Sequence, residues 1–190
     1  MNQTLGFALS GSFCTFESVL RQMERLAQQY TLIPILSQTA VSTDTRFGKA
    51  EDFRMRITEI CGRPPLTKTE EVEPLGPKKL LDLLIVAPCT GNTLGKLAAG
   101  IADSAVTFAC KAHLRNGRPV VLAVSTNDGL GASAENIGKL MTRKHYYFVP
   151  YGQDDWEKKP CSLVAHMDLL LPTVEQALAG RQLQPLLRGY

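Results

Sequence analysis

One stretch of the chain, residues 83–103, constrains the fold more than any other. Its first five residues are all apolar, a pattern typical of a strand that is buried on both faces of a parallel sheet. We expect Pro88 to end this strand, because proline has no N–H group to donate to a neighbouring strand. The next residues are polar up to Thr93, and the apolar period then changes. The stretch therefore predicts a strand, a polar turn and the start of a helix.

The predicted helix carries one apolar stripe, and either Thr90 or Asn92 can cap its start. The stripe consists of Leu94, Leu97, Ala98, Ile101 and Ala102. Backbone N–H groups and the positive end of the helix dipole at such a start attract an anion or an electron-rich ring. Ligands of open α/β sheets bind at this end of the strands. We therefore predict that Thr90, Asn92 and Thr93 bind a ligand.

Similar apolar runs at residues 5–9, 32–36, 119–124 and 146–150 predict four more strands. Helical patterns occur at 16–27, 50–60, 104–116, 134–141 and 167–177, the last interrupted near Pro172. Residues 67–79 are interpreted as a connection with a short strand near Val72. Strands that alternate with helices predict an α/β fold with a doubly wound parallel sheet. A chain of 190 residues fits one domain, residues 1–190.

Composition argues against several classes of protein. A formal net charge of +3 is too small to indicate a nucleic-acid partner, and no apolar run approaches the roughly 20 residues that span a bilayer. The start of the sequence has no secretory signal. The five cysteines are widely spaced, without a Cys-x-x-Cys or His-x-x-x-His pair, which argues against a disulfide framework and a metal site. We expect a cytoplasmic protein that binds no metal, membrane or nucleic acid.

A second ligand-binding turn is predicted after the first strand, at Gly11 and Ser12. A strand, a glycine turn and a helix form an arrangement that presents N–H groups to a phosphate. Neither the Gly-x-Gly-x-x-Gly fingerprint of dinucleotide-binding folds nor a P-loop is present. On spacing alone, a plain tight turn is an equally good interpretation.

Residues 87–103 also resemble the central motif of the FMN-binding cysteine decarboxylase flavoproteins, in the pattern Ala-Pro-x-x-x-Asn-Thr-Leu-Gly-Lys-Leu-Ala-x-Gly-Ile-x-Asp. The resemblance implies a flavodoxin-like three-layer sandwich that binds FMN. It also implies homo-oligomers, trimers or multiples of trimers, with the flavin at the contact between neighbouring copies. Contacts with the cofactor are assigned by this resemblance to Gly11, Ser12, Ser37, Thr90, Asn92, Thr93 and Ser125.

The chain departs from the decarboxylases at Glu17 and on both sides of Asn127. Glu17 follows the first turn and would repel a nearby phosphate, so either its carboxylate points away or the phosphate lies further off. Asn127 holds the place of the family's asparagine that acts on the substrate carboxylate, which makes it a candidate catalytic residue. Thr126 and Leu130 stand where the decarboxylases have methionines, and a turn-forming role for Asn127 is the alternative.

The decarboxylases also use a histidine on the helix after the second strand, and this chain has none there. That absence argues against oxidative decarboxylation of a peptidyl cysteine, while the predicted flavin-binding turns remain. We expect solvated roles for the three histidines of the chain, His113, His145 and His166.

Three loops, at residues 42–48, 73–78 and 152–160, resemble one branch of the family from spore-forming bacteria. The branch supplies one member of a two-subunit synthase, which forms pyridine-2,6-dicarboxylate from a dihydro precursor. NADP or NAD binds to the other member. A guanidinium grips a carboxylate at two points, so Arg46 is our candidate for both substrate binding and catalysis. Lys158 and Lys159 are further candidates for binding the small dicarboxylate.

The resemblance to this branch implies a partner protein and a location in the mother-cell cytoplasm of a spore former. Alternatives remain open at this point. The charged loops are also compatible with solvated linkers, and the flavin is either catalytic or vestigial. The whole chain is alternatively a flavin-dependent cysteine decarboxylase or a non-catalytic scaffold.

Overall fold

The computed structural model describes residues 3–190, which form a seven-stranded, mostly parallel sheet between two layers of helices. The α/β fold predicted from the sequence is confirmed. The strands are β1 (Thr4–Leu9), β2 (Thr31–Leu36), β3 (Leu83–Cys89), β4 (Val120–Thr126), β5 (Tyr146–Phe148), β6 (Tyr151–Gly152) and β7 (Leu163–Ala165).

The parallel part of the sheet has the order β2-β1-β3-β4-β5. Leu5 of β1 pairs with Leu32 on one side and Leu83 on the other. The winding direction therefore reverses between β1 and β3, and the connections leave this point in opposite directions. Such a switch point opens a crevice at the carboxyl ends of the strands, where ligands of these folds bind. The side chains of β3 are fully buried because helices cover both faces of the sheet.

Two groups of helices cover the sheet. On one side α1 packs against α3 and α8, and on the other α5 packs against α6 and α7. No helix in residues 3–190 is both long and apolar enough to cross a membrane. The helices are α1 (Phe16–Ala27), α2 (Gln38–Ser42), α3 (Ala50–Cys61), α4 (Thr69–Val72), α5 (Gly91–Ala99), α6 (Ala105–Leu114), α7 (Ala132–Met141) and α8 (Leu170–Leu178).

The antiparallel strands β6 and β7 extend the sheet beyond the end of β4, and the last residues of the chain lie along β6. The N–H of Tyr151 donates to the carbonyl of Leu186 at 3.0 Å, and the N–H of Arg188 donates back to Tyr151 at 3.1 Å. A Cβ on Gly152 would collide with the carbonyl oxygen of Arg188. Glycine at this position thus permits the close approach of the C-terminal segment, which we define as residues 186–190.

Two predictions about the central stretch are wrong. Pro88 does not end β3, which continues to Cys89 with an irregular register after Val86. A proline is tolerated at such an irregularity because no regular ladder bond is required of it. The helix α5 ends at Ala99, so the predicted apolar stripe stops short and Ile101 lies outside it, 47% exposed.

Two other local predictions are also wrong. The segment near Val72 is the short helix α4, in which Glu71 accepts backbone hydrogen bonds from Thr67 and Lys68. The last helix, α8, runs through Pro172 without interruption. Pro172 lies in its first turn, where the missing N–H would have had no helical acceptor.

The predicted solvation of the histidines is wrong for His113 and incomplete for the other two. His113 is 3% exposed, and its Nε2 lies 3.1 Å from the carbonyl oxygen of Pro119. Burial lowers the pKa of His113 to about 4. His145 and His166 are half-buried, and the ring of His166 stacks on Tyr190 with 4.1 Å between centroids.

Candidate functional site

The carboxyl ends of β1 and β3 are joined by hydrogen bonds at the switch point. Ser10 is buried, and its hydroxyl donates to the carbonyl of Pro88 at 2.7 Å. The N–H of Thr90 donates to the Ser10 hydroxyl oxygen at 3.0 Å. These two bonds fix the turn after β3 against the end of β1. The predicted turns at residues 11–12 and 90–93 therefore lie side by side.

The next strand contributes Ser125 to the same place. Its hydroxyl oxygen lies 2.7 Å from that of Ser12, although the residues are 113 positions apart in the sequence. Ser125 is 3% exposed, so this contact forms a floor beneath the turns. We call the two turns and this floor the cradle, made of residues 10–14, 90–93 and 125.

The cradle offers several backbone donors. Within residues 3–190, no hydrogen bond uses the N–H groups of Gly11, Phe13 and Cys14 in the first turn, or those of Gly91 and Asn92 at the start of α5. Unpaired N–H groups at helix starts attract anionic and oxygen-rich ligands. The cradle can therefore hold a phosphate or a polyol without any further change of its backbone.

Thr90, rather than Asn92, caps α5. The Thr90 hydroxyl oxygen accepts the N–H of Thr93 at 3.3 Å. Asn92 lies in the first turn of the helix with its side chain exposed. The sequence left both residues open as caps, and the structure assigns the role to Thr90. The Asn92 side chain is thus free to contact a ligand.

Glu17 points away from the cradle, the first of the two arrangements expected for it. Its carboxylate pairs with Arg56 on α3 at 2.7 Å. The hydrogen bond from Arg56 lowers the pKa of Glu17, and the guanidinium neutralises its charge. The acid after the first turn therefore presents little obstacle to an anion at Gly11.

A second acid, Asp128, lies beside the start of α5 and was missed by the sequence reasoning. Its carboxylate accepts hydrogen bonds from the hydroxyls of Thr126 and Ser133, and the first of these lowers its pKa most. A Cβ on Gly91 would lie 2.6 Å from the Ser133 oxygen and 2.7 Å from Asp128. This cluster makes the α5 start unfavourable for a phosphate, whereas the first turn remains open to one.

Asn127 is exposed at the end of β4, directly before this acid. No hydrogen bond of its side chain is formed within the described part of the chain. The alternative turn-forming role would use such a bond to the backbone. The position of Asn127 at the carboxyl edge of the sheet thus keeps it a candidate for contact with substrate.

Ser37 and Arg46 follow β2, on the other side of β1. The Ser37 hydroxyl oxygen accepts the N–H of Ala40 at 3.2 Å and so caps α2. Arg46 lies in the tight turn between Thr45 and Gly48, which pair as an isolated bridge. Its guanidinium lies over the ring of Phe47, 4.9 Å from the centroid. Arg46 has no acidic partner among residues 3–190.

Lys159 belongs to a loop that lies beside the cradle, because the strand β7 that follows this loop pairs Val164 with Ser125. The hydrogen bond from its Nζ to Asp154, at 3.0 Å, raises the pKa of Lys159. The N–H of Leu130 donates to the carbonyl of Cys161 at 3.0 Å, which fixes the loop beside the end of β4. Lys158 is exposed. We call residues 153–162 the charged loop.

The residues present fit an FMN group. Unpaired N–H groups and hydroxyls of the cradle are suited to a phosphate and ribityl chain, and the neutralised Glu17 removes the repulsion expected there. Ser10, which joins the two turns, was also missed by the sequence reasoning. Its position directly after a buried strand and before the Gly11 turn was the available signal.

Comparisons with known proteins identify the family of the chain. The chain matches the model of the family described as Flavoprotein over residues 1–167. It is 46% identical to the B subunit of dipicolinate synthase of Bacillus subtilis over 184 residues, covering 96% of this chain and 92% of the relative.

Solved structures show the same fold. The crystal structure of the B subunit of dipicolinate synthase from Bacillus halodurans C has a TM-score of 0.90 and 44% identity, covering 100% of this chain and 99% of that chain. The FMN-dependent cysteine decarboxylase SpaF has a TM-score of 0.65 and 19% identity over 93% of this chain and 97% of that chain, a likeness of fold alone. By its sequence, its fold and the turns at its switch point, this chain belongs to the Flavoprotein family and is a homologue of the B subunit of dipicolinate synthase.

Proposed function

We propose that the chain is the FMN-binding subunit of a dipicolinate synthase and acts with a separate protein, the A subunit of the synthase, which binds NADP or NAD. The enzyme would form pyridine-2,6-dicarboxylate from a dihydrodipicolinate-type precursor during sporulation, in the mother cell. The observation that carries this proposal is the 46% identity with the B subunit of dipicolinate synthase across 96% of the chain. The absence of a dinucleotide fingerprint from this sequence supports a division of labour with a nicotinamide-binding partner.

The cradle supports FMN as the cofactor. In this proposal, Gly11 and Ser12 hold the phosphate and ribityl chain, and Thr90, Asn92, Thr93, Ser125 and Ser37 complete the site. When bound, FMN supplies an acceptor for two electrons during aromatisation. Family resemblance supports a homo-oligomer, a trimer or a multiple of trimers, around this site.

Fixed positive charge would hold the two carboxylates of the substrate. Arg46 has no competing acid among the described residues and offers a two-point grip. Lys158 and Lys159 lie on the charged loop beside the cradle, although Asp154 already offsets part of the charge of Lys159. Asn127 would orient one carboxylate at the sheet edge. An exposed site with several positive charges suits a small dianion better than a peptide.

Reconstitution tests the proposal. The purified chain is examined for the visible absorption of oxidised flavin, and the cofactor is released by heat and identified by chromatography. It is then mixed with the A subunit, NADP or NAD, and freshly made dihydro precursor, and the absorbance of the pyridine product is followed. We expect FMN and a rate that depends on both proteins.

This product assay, together with a decarboxylation assay, distinguishes the alternatives. Carbon dioxide release from a cysteine-terminated peptide would establish a decarboxylase. Unchanged product formation without this chain would reject a catalytic or assembly role in the synthase. A rate that depends on the chain but not on its flavin would favour a scaffold.

A further inference from the structure

A large cleft lies beyond the cradle, between α7, the charged loop and the C-terminal segment. Its volume is 1080 Å³. Most of the large apolar side chains that the described chain exposes line this one cleft: Leu130, Met141, Trp156, Leu187 and Tyr190. Trp156, the sole tryptophan, is 67% exposed. Soluble monomers rarely concentrate apolar side chains in this way, and such patches mark interaction sites.

The charges around the cleft are mainly negative. Asp154, Asp155 and Glu157 line it from the charged loop, and Arg188 supplies the one lining guanidinium. Asp154 is already bound by Lys159 and by the hydroxyl of Ser162, at 2.6 Å. A molecule complementary to this cleft therefore carries apolar side chains, which pack on its floor, and positive charges, which pair with the acids at its rim.

The cleft and the cradle share the charged loop. Trp156 lines the cleft, and the strand β7 that follows the charged loop pairs Val164 with Ser125 of the cradle. The carbonyl of Cys161 holds the loop to Leu130, which itself lines the cleft. A molecule seated in the cleft would therefore touch the loop that carries Lys158 and Lys159.

We propose that this cleft is the docking surface for the nicotinamide-binding partner of the synthase, which inserts a segment with apolar and basic side chains. The inference rests on the proposed function, since it requires a two-subunit synthase. The open cleft exceeds the size of an ordinary small-molecule pocket. Docking there would join the partner to the loop that carries Lys158 and Lys159.

Two exposed methionines allow a matched test. Met141 lies in the cleft and is 45% exposed, whereas Met55 lies on α3, outside it, and is 52% exposed. Binding of the nicotinamide-binding partner from the same organism to the flavin-loaded chain is measured by calorimetry. We expect Met141→Lys to weaken binding at least 10-fold, because it places a cation against a basic partner, and Met55→Lys to leave it unchanged. Leu187→Lys is the second cleft variant.

Flavin content and thermal melting establish that each variant is folded. Binding of the partner that is equal in wild type, Met141→Lys and Leu187→Lys would overturn the docking surface and leave the proposed function standing. Failure of the partner to bind the wild-type chain would overturn both. If light scattering instead shows self-association that Met141→Lys abolishes while the partner still binds, the cleft belongs to a second copy of the chain and the proposal is wrong.

Discussion

The hydroxyl oxygens of Ser12 and Ser125 lie 2.7 Å apart and join the turn after β1 to the end of β4, across the intervening strand β3. This contact closes the floor of the cradle. It also means that the shape of the cradle depends on two segments that are 113 residues apart in the sequence.

We expect Ser12 and Ser125 to be energetically coupled. Each single change to alanine removes the same hydrogen bond, so the double variant should lose about 1 kcal/mol less stability than the sum of the two singles. Urea unfolding of the four proteins in the cycle measures this coupling. Additive losses would show that the two hydroxyls bond to water or ligand rather than to each other.

Substitutions at Thr90 and Asn92 should affect different properties, namely stability for Thr90 and flavin binding for Asn92. Thr90→Ala removes the cap of α5 and should cost about 1 kcal/mol of stability. Asn92→Ala removes no cap, so its stability should stay near that of wild type while flavin binding weakens. Thermal melts and fluorescence titration with FMN, carried out on both variants, separate the effects. Unchanged flavin affinity in Asn92→Ala would remove Asn92 from the cofactor site.

Arg46→Lys should lose most of the dipicolinate-forming activity of the two-subunit enzyme. Lysine keeps the charge but lacks the two-point grip, a loss on the order of 2–3 kcal/mol, or roughly 30- to 150-fold in binding. Flavin content should not change, because Arg46 lies outside the cradle. Full activity in Arg46→Ala would reject the substrate role, and joint loss of flavin and activity would assign Arg46 to the cofactor phosphate.

Gly91 and Gly95 lie on the same helix and provide a matched pair. A Cβ at Gly91 would meet Ser133, Asp128 and Thr126 at 2.6–2.8 Å, whereas one at Gly95 would meet Asn136 at 3.5 Å. Gly91→Ala should therefore lower stability by about 1–3 kcal/mol. Gly95→Ala should raise it by up to about 1 kcal/mol, through helix propensity. Equal effects in chemical unfolding would contradict the crowding at the start of α5.

His113 should make the folded state sensitive to acid. Its pKa falls from 6.5 to about 4 on folding, so the unfolded chain takes up the proton first and stability is lost as pH falls from about 6.5 to 4. The difference between these two pKa values corresponds to about 3 kcal/mol at most. In His113→Gln, the free energy of unfolding should fall less steeply with pH over this range. An unchanged slope would show that His113 is not buried in its neutral form.

The five parallel strands were predictable because their apolar runs are local, although Tyr146 and Tyr147 of β5 stay partly exposed. The short antiparallel strands β6 and β7 were missed, because two or three residues give too short a pattern. The errors arose where one backbone position decided the outcome. Gly100 adopts a left-handed conformation, with φ of 74°, and ends α5 before Ile101 can join its stripe. His113 looked solvated because its place near the end of α6 does not reveal the packing that buries its ring, which meets the carbonyl of Pro119 just before β4.

The candidate site was predictable turn by turn, since each turn follows a predicted strand. Its assembly was not, because Ser10 meets Thr90 and Ser12 meets Ser125 only once the order of the strands is known. The same holds for the charged loop, which lies beside the cradle because β7 pairs with the end of β4.

The pairing of the C-terminal segment with β6 protects the edge of the sheet. Without it, the backbone groups of Tyr151 that now bond to Leu186 and Arg188 would be open to a strand from another molecule. Removing residues 186–190 would therefore create an aggregation-prone edge as well as strip the cleft of Leu187 and Tyr190. Point substitutions therefore test the function of the cleft alone, whereas deletion of residues 186–190 would also cause association through the exposed strand edge.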